Sequence, residues 1–240
     1  MLSLQHITWS LPEGREIVND ISVDIPDGKL IVITGPNGSG KTTLAKIIAG
    51  LIRQNEGTIC LDGRDISDMD VTRRAKAGIS YGFQQPVRFK GITVRDLMEM
   101  SANRTLTMDE LCSLLGKVGL CTVDYVDREV DGSLSGGEIK RVEIASVLAR
   151  GTRLSIFDEP EAGIDLWSFN GLISAFEALK ESRHAMIIIS HQERIIDIAD
   201  DIMVMAEGSI RLYGPRDEVQ PLLLESDVAG YCPVGREELA

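Results

Sequence analysis

One stretch near the start of the chain, Leu30-Ile-Val-Ile-Thr-Gly-Pro-Asn-Gly-Ser-Gly-Lys-Thr-Thr43, restricts the possible folds more than any other. Leu30 to Ile33 form an apolar run that reads as a buried strand. Gly35, Pro36, Asn37, Gly38, Ser39, Gly40, Lys41 and Thr42 then fit G-x-x-x-x-G-K-[ST] at every fixed position, and Thr43 follows. Lys41 to Ile48 carry helical spacing, with Leu44, Ile47 and Ile48 on one face. A strand, a glycine-rich turn and a helix in this order build a phosphate cradle. The glycines let successive N–H groups point inward, and the helix adds free N–H groups and the positive end of its dipole. In such a cradle Lys41 would reach the β- and γ-phosphates, and the Thr42 hydroxyl would ligate Mg²⁺.

A chain of 240 residues suits one large α/β domain, or one core carrying an inserted subdomain. It has 37 acidic against 25 basic residues, a net charge of −12, which argues against nucleic acid as a partner. Met1-Leu-Ser-Leu-Gln-His6 lacks the basic and long apolar regions of a signal peptide. No apolar run approaches about 18 residues, so no direct membrane insertion is expected and the location expected is cytoplasmic. Cys60, Cys112, Cys121 and Cys232 show no C-x-x-C spacing and are expected as reduced thiols. Cys232, in Gly230-Tyr-Cys-Pro233, has a competing reading as a cluster ligand.

Residues 2–9 and 16–25 alternate like strands around the turn Pro12-Glu13-Gly14. Trp9, one alternation from Leu11, reads as core packing. Gly57 to Leu61 and Gly78 to Phe83 read as strands, and Arg73 to Lys76 as a helix end. From Val87 to about Leu134 the texture becomes helical, over Thr93–Met100 and Met108–Leu115, with Thr107 or Ser101 as caps. Leu134-Ser-Gly-Gly-Glu138 opens a further helix. Strands over Leu154–Phe157 and Met186–Ile189 end in Asp158-Glu159 and Ser190-His191, with a helix over Leu166–Lys180 between them. Ile195–Ala199 reads as a helical turn or two, Ile202–Met205 and Ile210–Tyr213 as a strand pair, and Asp217–Leu224 as a terminal helix.

The chemistry lies where the strands end. Asp158 would hold Mg²⁺, and Glu159, next in line, would orient or deprotonate an attacking water. Ser135, Gly136, Gly137 and Glu138, at a helix N-terminus, form a second anion site. One chain has no use for two such sites, but two chains facing head to tail do, which implies a dimer with ATP sandwiched between its subunits.

With these residues in place the chain resembles the ABC-type ATPases along nearly its whole length. Gly35–Thr43 match the family's phosphate loop, Gln84 its Q-loop glutamine, and Leu134–Glu138 its signature, with glutamate where glutamine is commoner. Asp158-Glu159 match the Walker B pair, Ala162-Gly163-Ile164-Asp165 the D-loop, and His191 the switch histidine. The resemblance implies an α/β fold, a P-loop (RecA-like) ABC ATPase core with an N-terminal antiparallel β subdomain and an inserted helical subdomain. It divides the chain into a nucleotide-binding core over 1–86 and 150–240 and a helical subdomain over 87–149. It implies Mg²⁺-dependent hydrolysis of ATP, with Lys41, Glu159 and His191 catalytic and Thr42, Gln84 and Asp158 at the metal. Gly35 to Thr43, Gln84, Ser135 to Glu138 and Asp165 would bind nucleotide. An aromatic that many members stack on adenine is replaced here by Leu11.

Within the family, Phe83-Gln84-x-Pro86-Val87, Ser135-Gly-Gly-Glu-x-Lys140-Arg141 and His191-Gln-Glu-Arg194-Ile195 resemble the SufC-type ATPase of SUF iron–sulfur cluster assembly. That resemblance implies SufB-like and SufD-like scaffold partners and an ATP-dependent homodimer. Pro160-Glu161-Ala162-Gly163 departs from that branch. The alternative is the ATPase subunit of a membrane transporter, to which Thr93-Val-Arg-Asp96 is similar. In either case the coupling surface is expected around residues 85–100.

Overall fold

The computed structural model describes residues 1–85, 87–181 and 184–228. Cys232 and the end of the chain lie outside them, as does Pro86. A four-stranded antiparallel sheet, in the order β2-β1-β4-β5, comes from β1 (Leu2–Ser10), β2 (Glu16–Ile25), β4 (Glu56–Leu61) and β5 (Arg64–Asp65). A six-stranded sheet runs β10-β9-β3-β8-β7-β6. Its members are β3 (Leu30–Thr34), β6 (Ile79–Gly82), β7 (Leu154–Asp158), β8 (Ala185–Ile189), β9 (Asp201–Ala206) and β10 (Ser209–Pro215). All its pairs are parallel except β9 with β10.

β3 lies between β8 and β9, and all five of its residues are buried. Leu30 and Val32 point into one apolar cluster, Ile31 and Ile33 into the other. Both faces of a parallel sheet are covered, which is why its strands read as continuous apolar runs. The phosphate-loop helix α1 (Lys41–Ala49) packs on the second face through Leu44, Ala45, Ile47 and Ile48. It ends at Gly50 in the left-handed conformation, φ 77°. There Arg74, 1 % exposed on α2 (Val71–Lys76), donates to the carbonyls of Ile47 and Ile48 at 2.6 and 2.9 Å. A buried guanidinium thus satisfies the Ile48 carbonyl at the helix end and adds to the bond that the Ile47 carbonyl accepts from the Gly50 N–H.

The first face carries the helical part: α3 (Val94–Ala102), α4 (Met108–Lys117), α5 (Thr122–Tyr125) and α6 (Gly136–Arg150), with α7 (Leu166–Glu181) beside it. Three of these helices start with reciprocal caps, Thr93 with Asp96, Thr107 with Glu110 and Ser135 with Glu138. Ser101, a cap candidate from the sequence, lies inside α3; Thr93 caps that helix instead, because Asp96 stands three residues after it. α8 (Glu193–Asp197) and α9 (Arg216–Val228) complete the described elements. Among the described residues no helix is long and apolar enough to cross a membrane.

Candidate nucleotide site

The phosphate loop hangs between β3 and α1, at the carboxyl end of the central parallel strand. Gly35 and Gly40 have φ of 133° and 96°. A Cβ on Gly35 would come within 2.0 Å of the Met205 carbonyl oxygen, and one on Gly40 within 2.4 Å of that of Ile17. Only glycine lets the loop lie this close to β9 and β2. The Lys41 ammonium, on a side chain buried in the loop, donates to the carbonyls of Gly35 at 2.7 Å and Pro36 at 2.9 Å. Burial lowers its pKa, an effect that Glu159 and Asp158 oppose. An ammonium has three donors, so one is left for a phosphate oxygen.

Asp158 ends β7 and is 4 % exposed. Its two oxygens accept from the Thr42 hydroxyl at 2.9 Å and the Tyr81 hydroxyl at 2.8 Å. Glu159 follows with φ 43°, a left-handed conformation that a glutamate holds only when its surroundings impose it. Its N–H bonds the Ile189 carbonyl at 3.0 Å, pinning the turn to β8. The Gln84 amide donates to the Glu159 carboxylate at 2.5 Å. His191, just beyond β8, has Nδ1 3.3 Å from the Thr34 hydroxyl. Burial and Lys41 hold its pKa below the ordinary value, so the ring is neutral near pH 7.

The structure thus brings Lys41, Thr42, Gln84, Asp158, Glu159 and His191 around one loop. It also exposes a cavity of about 370 Å³ lined by Gly38 to Thr43, Glu159 and one wall from the N-terminal sheet. That wall includes Trp9, Leu11 and Arg15. Trp9 therefore does not belong to the core alone, as its alternation suggests. Trp9 and Leu11, two residues apart, line the cavity together, while Trp9 also packs against the core. Tyr81 and Arg15 carry no motif that could have pointed to them.

Ser135, Gly136, Gly137 and Glu138 are absent from this cavity's lining. Ser135 caps α6, and the Glu138 carboxylate accepts from the Ser135 N–H at 2.7 Å and from the Tyr125 hydroxyl. A Cβ on Gly136 would come within 3.2 Å of the Gly163 carbonyl oxygen, so the signature lies against the D-loop. Asp165 caps α7, accepting from the Ser168 N–H at 2.9 Å.

The donor set fits a magnesium nucleotide. Ser39 Oγ is buried in the loop without a partner among the described residues. The Thr42 hydroxyl bonds the Asp158 carboxylate, and the Gln84 amide rests on neighbouring Glu159, so hard oxygen donors of the kind Mg²⁺ takes stand at the end of β7.

Comparisons with known proteins agree with this geometry. Residues 18–162 match the family model described as ABC transporter. An uncharacterised ABC transporter ATP-binding protein of Methanocaldococcus jannaschii is 34 % identical over 214 residues, covering 86 % of either chain. A probable ATP-dependent transporter of Synechocystis is 30 % identical, covering 100 % of this chain and 98 % of its own. The solved nucleotide-free ATP-binding cassette of an ABC transporter superposes with a TM-score of 0.81 at 25 % identity, covering 95 % of this chain and 97 % of its own. A dimeric cassette bound to ADP and phosphate shares the fold, with a TM-score of 0.77 at 21 % identity, covering 90 % of this chain and 99 % of its own. The chain belongs to the ABC transporter family and is one of its ATP-binding, ATP-hydrolysing cassettes.

Proposed function

We propose that this cassette is the ATP-hydrolysing subunit of a membrane transporter and works beneath a separate permease. The observation that carries this reading is the likeness, over 86–100 % of the chain, to proteins named as an ABC transporter ATP-binding protein and a probable ATP-dependent transporter. The surface agrees with it. Phe83, Val87, Phe89 and Met100 are large apolar side chains exposed by 36–65 %, and the first three line a groove of about 200 Å³ between α3, α6 and β6. Such a patch suits a protein partner. It coincides with the coupling surface expected around residues 85–100, at the edge of the helical subdomain assigned to 87–149.

In this reading two copies enclose two ATP molecules. Each site joins Gly35–Thr43, Gln84, Asp158, Glu159 and His191 of one copy to Ser135–Glu138 of the other, with Asp165 near the crossing. The absence of Ser135–Glu138 from their own chain's cavity supports this, as does the dimer formed by a cassette of the same fold. Thr42, Gln84 and Asp158 would hold Mg²⁺, which when bound offsets charge on the transferring phosphate. Glu159 positions the attacking water, and the neutral His191 ring hydrogen-bonds near the γ-phosphate. Lys41 and the loop N–H groups stabilise the developing charge. Trp9 and Leu11 form the wall against which the base would rest.

The Glu159→Gln variant should bind ATP, hydrolyse it about 10²- to 10⁴-fold more slowly, and elute as a dimer in ATP. Normal turnover would overturn the role given to Glu159. Iron–sulfur cluster assembly is a second reading, favoured by Ser135-Gly-Gly-Glu-x-Lys140-Arg141. The named relatives weigh against it. Capture of tagged Glu159→Gln protein in ATP, from membrane and soluble fractions, separates the two. A permease supports the transporter reading; a soluble SufB-like or SufD-like scaffold replaces it with cluster assembly.

A further inference from the structure

Lys140 and Glu143 stand one turn apart on α6, their side chains 2 % and 19 % exposed. The Lys140 ammonium lies 3.0 Å from the Glu143 carboxylate and also donates to the Phe83 carbonyl. Burial raises the Glu143 pKa, and Lys140 and the Phe83 backbone amide oppose that rise. The Phe83 carbonyl is therefore held by α6 through an ion pair. Phe83 directly follows β6, the edge strand of the large sheet, and directly precedes Gln84, whose amide rests on Glu159. Gly82 keeps the space open, since a Cβ there would come within 2.7 Å of the Phe157 ring and 3.2 Å of the Glu143 carboxylate.

This arrangement is costly to build. A buried ion pair is commonly matched in stability by apolar residues of similar volume. The pair does not line the nucleotide cavity; Glu143 lines the groove of Phe83, Val87 and Phe89, and α6 has apolar neighbours on which Met or Leu could pack. What the charges supply is a fixed geometry for one peptide. The same helix starts at Ser135, so any shift of its signature end reaches the Phe83 backbone about two turns later.

We propose that Lys140 and Glu143 are positioning residues for hydrolysis: they grip the Phe83 backbone from the signature helix and so set Gln84 against Glu159. The proposal rests on the roles given above to Gln84 and Glu159.

The test is the double variant Lys140→Met/Glu143→Leu, which removes both charges and leaves neither unpaired. The expected result is a kcat lower by about 10- to 100-fold, the scale of a misplaced catalytic group. ATP affinity in EDTA should stay within about twofold, and the Mg²⁺ concentration for half-maximal rate should rise by about fivefold or more. A purely structural role would lower thermal stability, affinity and rate together, without this split. Lys140→Arg, which keeps charge and donors, should recover most of the rate. Gly82→Ala, which pushes on the Glu143 carboxylate while leaving both charges in place, should show the same split and decides the matter where the double variant does not fold. A kcat and a Mg²⁺ requirement within about twofold of wild type in these variants overturn the proposal alone. If wild type does not hydrolyse ATP, or Glu159→Gln hydrolyses it normally, the roles of Gln84 and Glu159 fall and the grip falls with them.

Discussion

Tyr81 shows what a motif leaves out. Its hydroxyl holds the Asp158 oxygen that Thr42 does not, and its partner lies 77 positions away in sequence. Lys41, Asp158 and Glu159 were readable because the chemistry of their motifs is local; Tyr81 depends on β6 and β7 lying side by side. Burial, with Asp158 nearby, keeps its phenol protonated far beyond neutral pH, so it always donates. Tyr81→Phe should cost about 1–2 kcal/mol, read as a lower Tm, because Asp158 loses a partner in a buried place. Glu161 is a second such residue. Its carboxylate accepts from the Ser190 hydroxyl at 2.6 Å, and its other oxygen is buried without a partner among the described residues. Burial raises its pKa above the ordinary 4.5, so the folded chain holds this proton more tightly than the unfolded one. That contribution is present below the ordinary value and is lost as pH rises through the folded one. Glu161→Gln cannot ionise, so its Tm relative to wild type should climb as pH rises above the ordinary 4.5. A difference that stays flat would show that Glu161 does not titrate above its ordinary range.

At the scale of elements, the longer pieces were legible and the shortest were not. The cap pairs three residues apart announce α4 and α6, and apolar runs announce β3, β7 and β8. β5 has two residues and α5 four, too few to show any period. β1 is long enough to show its period, yet the period alone does not say that Trp9 meets both the core and the cavity. The end of α1 depends on a residue from another element, because Arg74 reaches it from α2. Arg74→Met should lower stability by about 3 kcal/mol or more, measured by denaturant unfolding, since several buried carbonyls lose their donor together. The loss should extend to nucleotide affinity, because α1 carries Lys41 and Thr42.

For the whole molecule, hydrophobic pattern marked the buried strands but not their neighbours. Nothing in Leu30–Ile33 says that β8 and β9 flank it; that follows from crossovers over long stretches of chain. Charge acts at this scale too. Two copies carrying −12 each repel, so the ATP-bound Glu159→Gln dimer should tighten as salt rises from about 10 to 150 mM, where the Debye length falls to about 8 Å. Weaker association over that range, by light scattering, would mean that attractive charge pairs dominate the contact. The position of β3 has a last consequence. With both faces dry and a strand on each side, its amides can exchange with deuterium only when the whole sheet opens. The loop that follows is anchored to the least yielding strand at one end and to a packed helix at the other. Nucleotide therefore enters a cradle that is already ordered, and the entropy measured on binding reports motion elsewhere in the cassette.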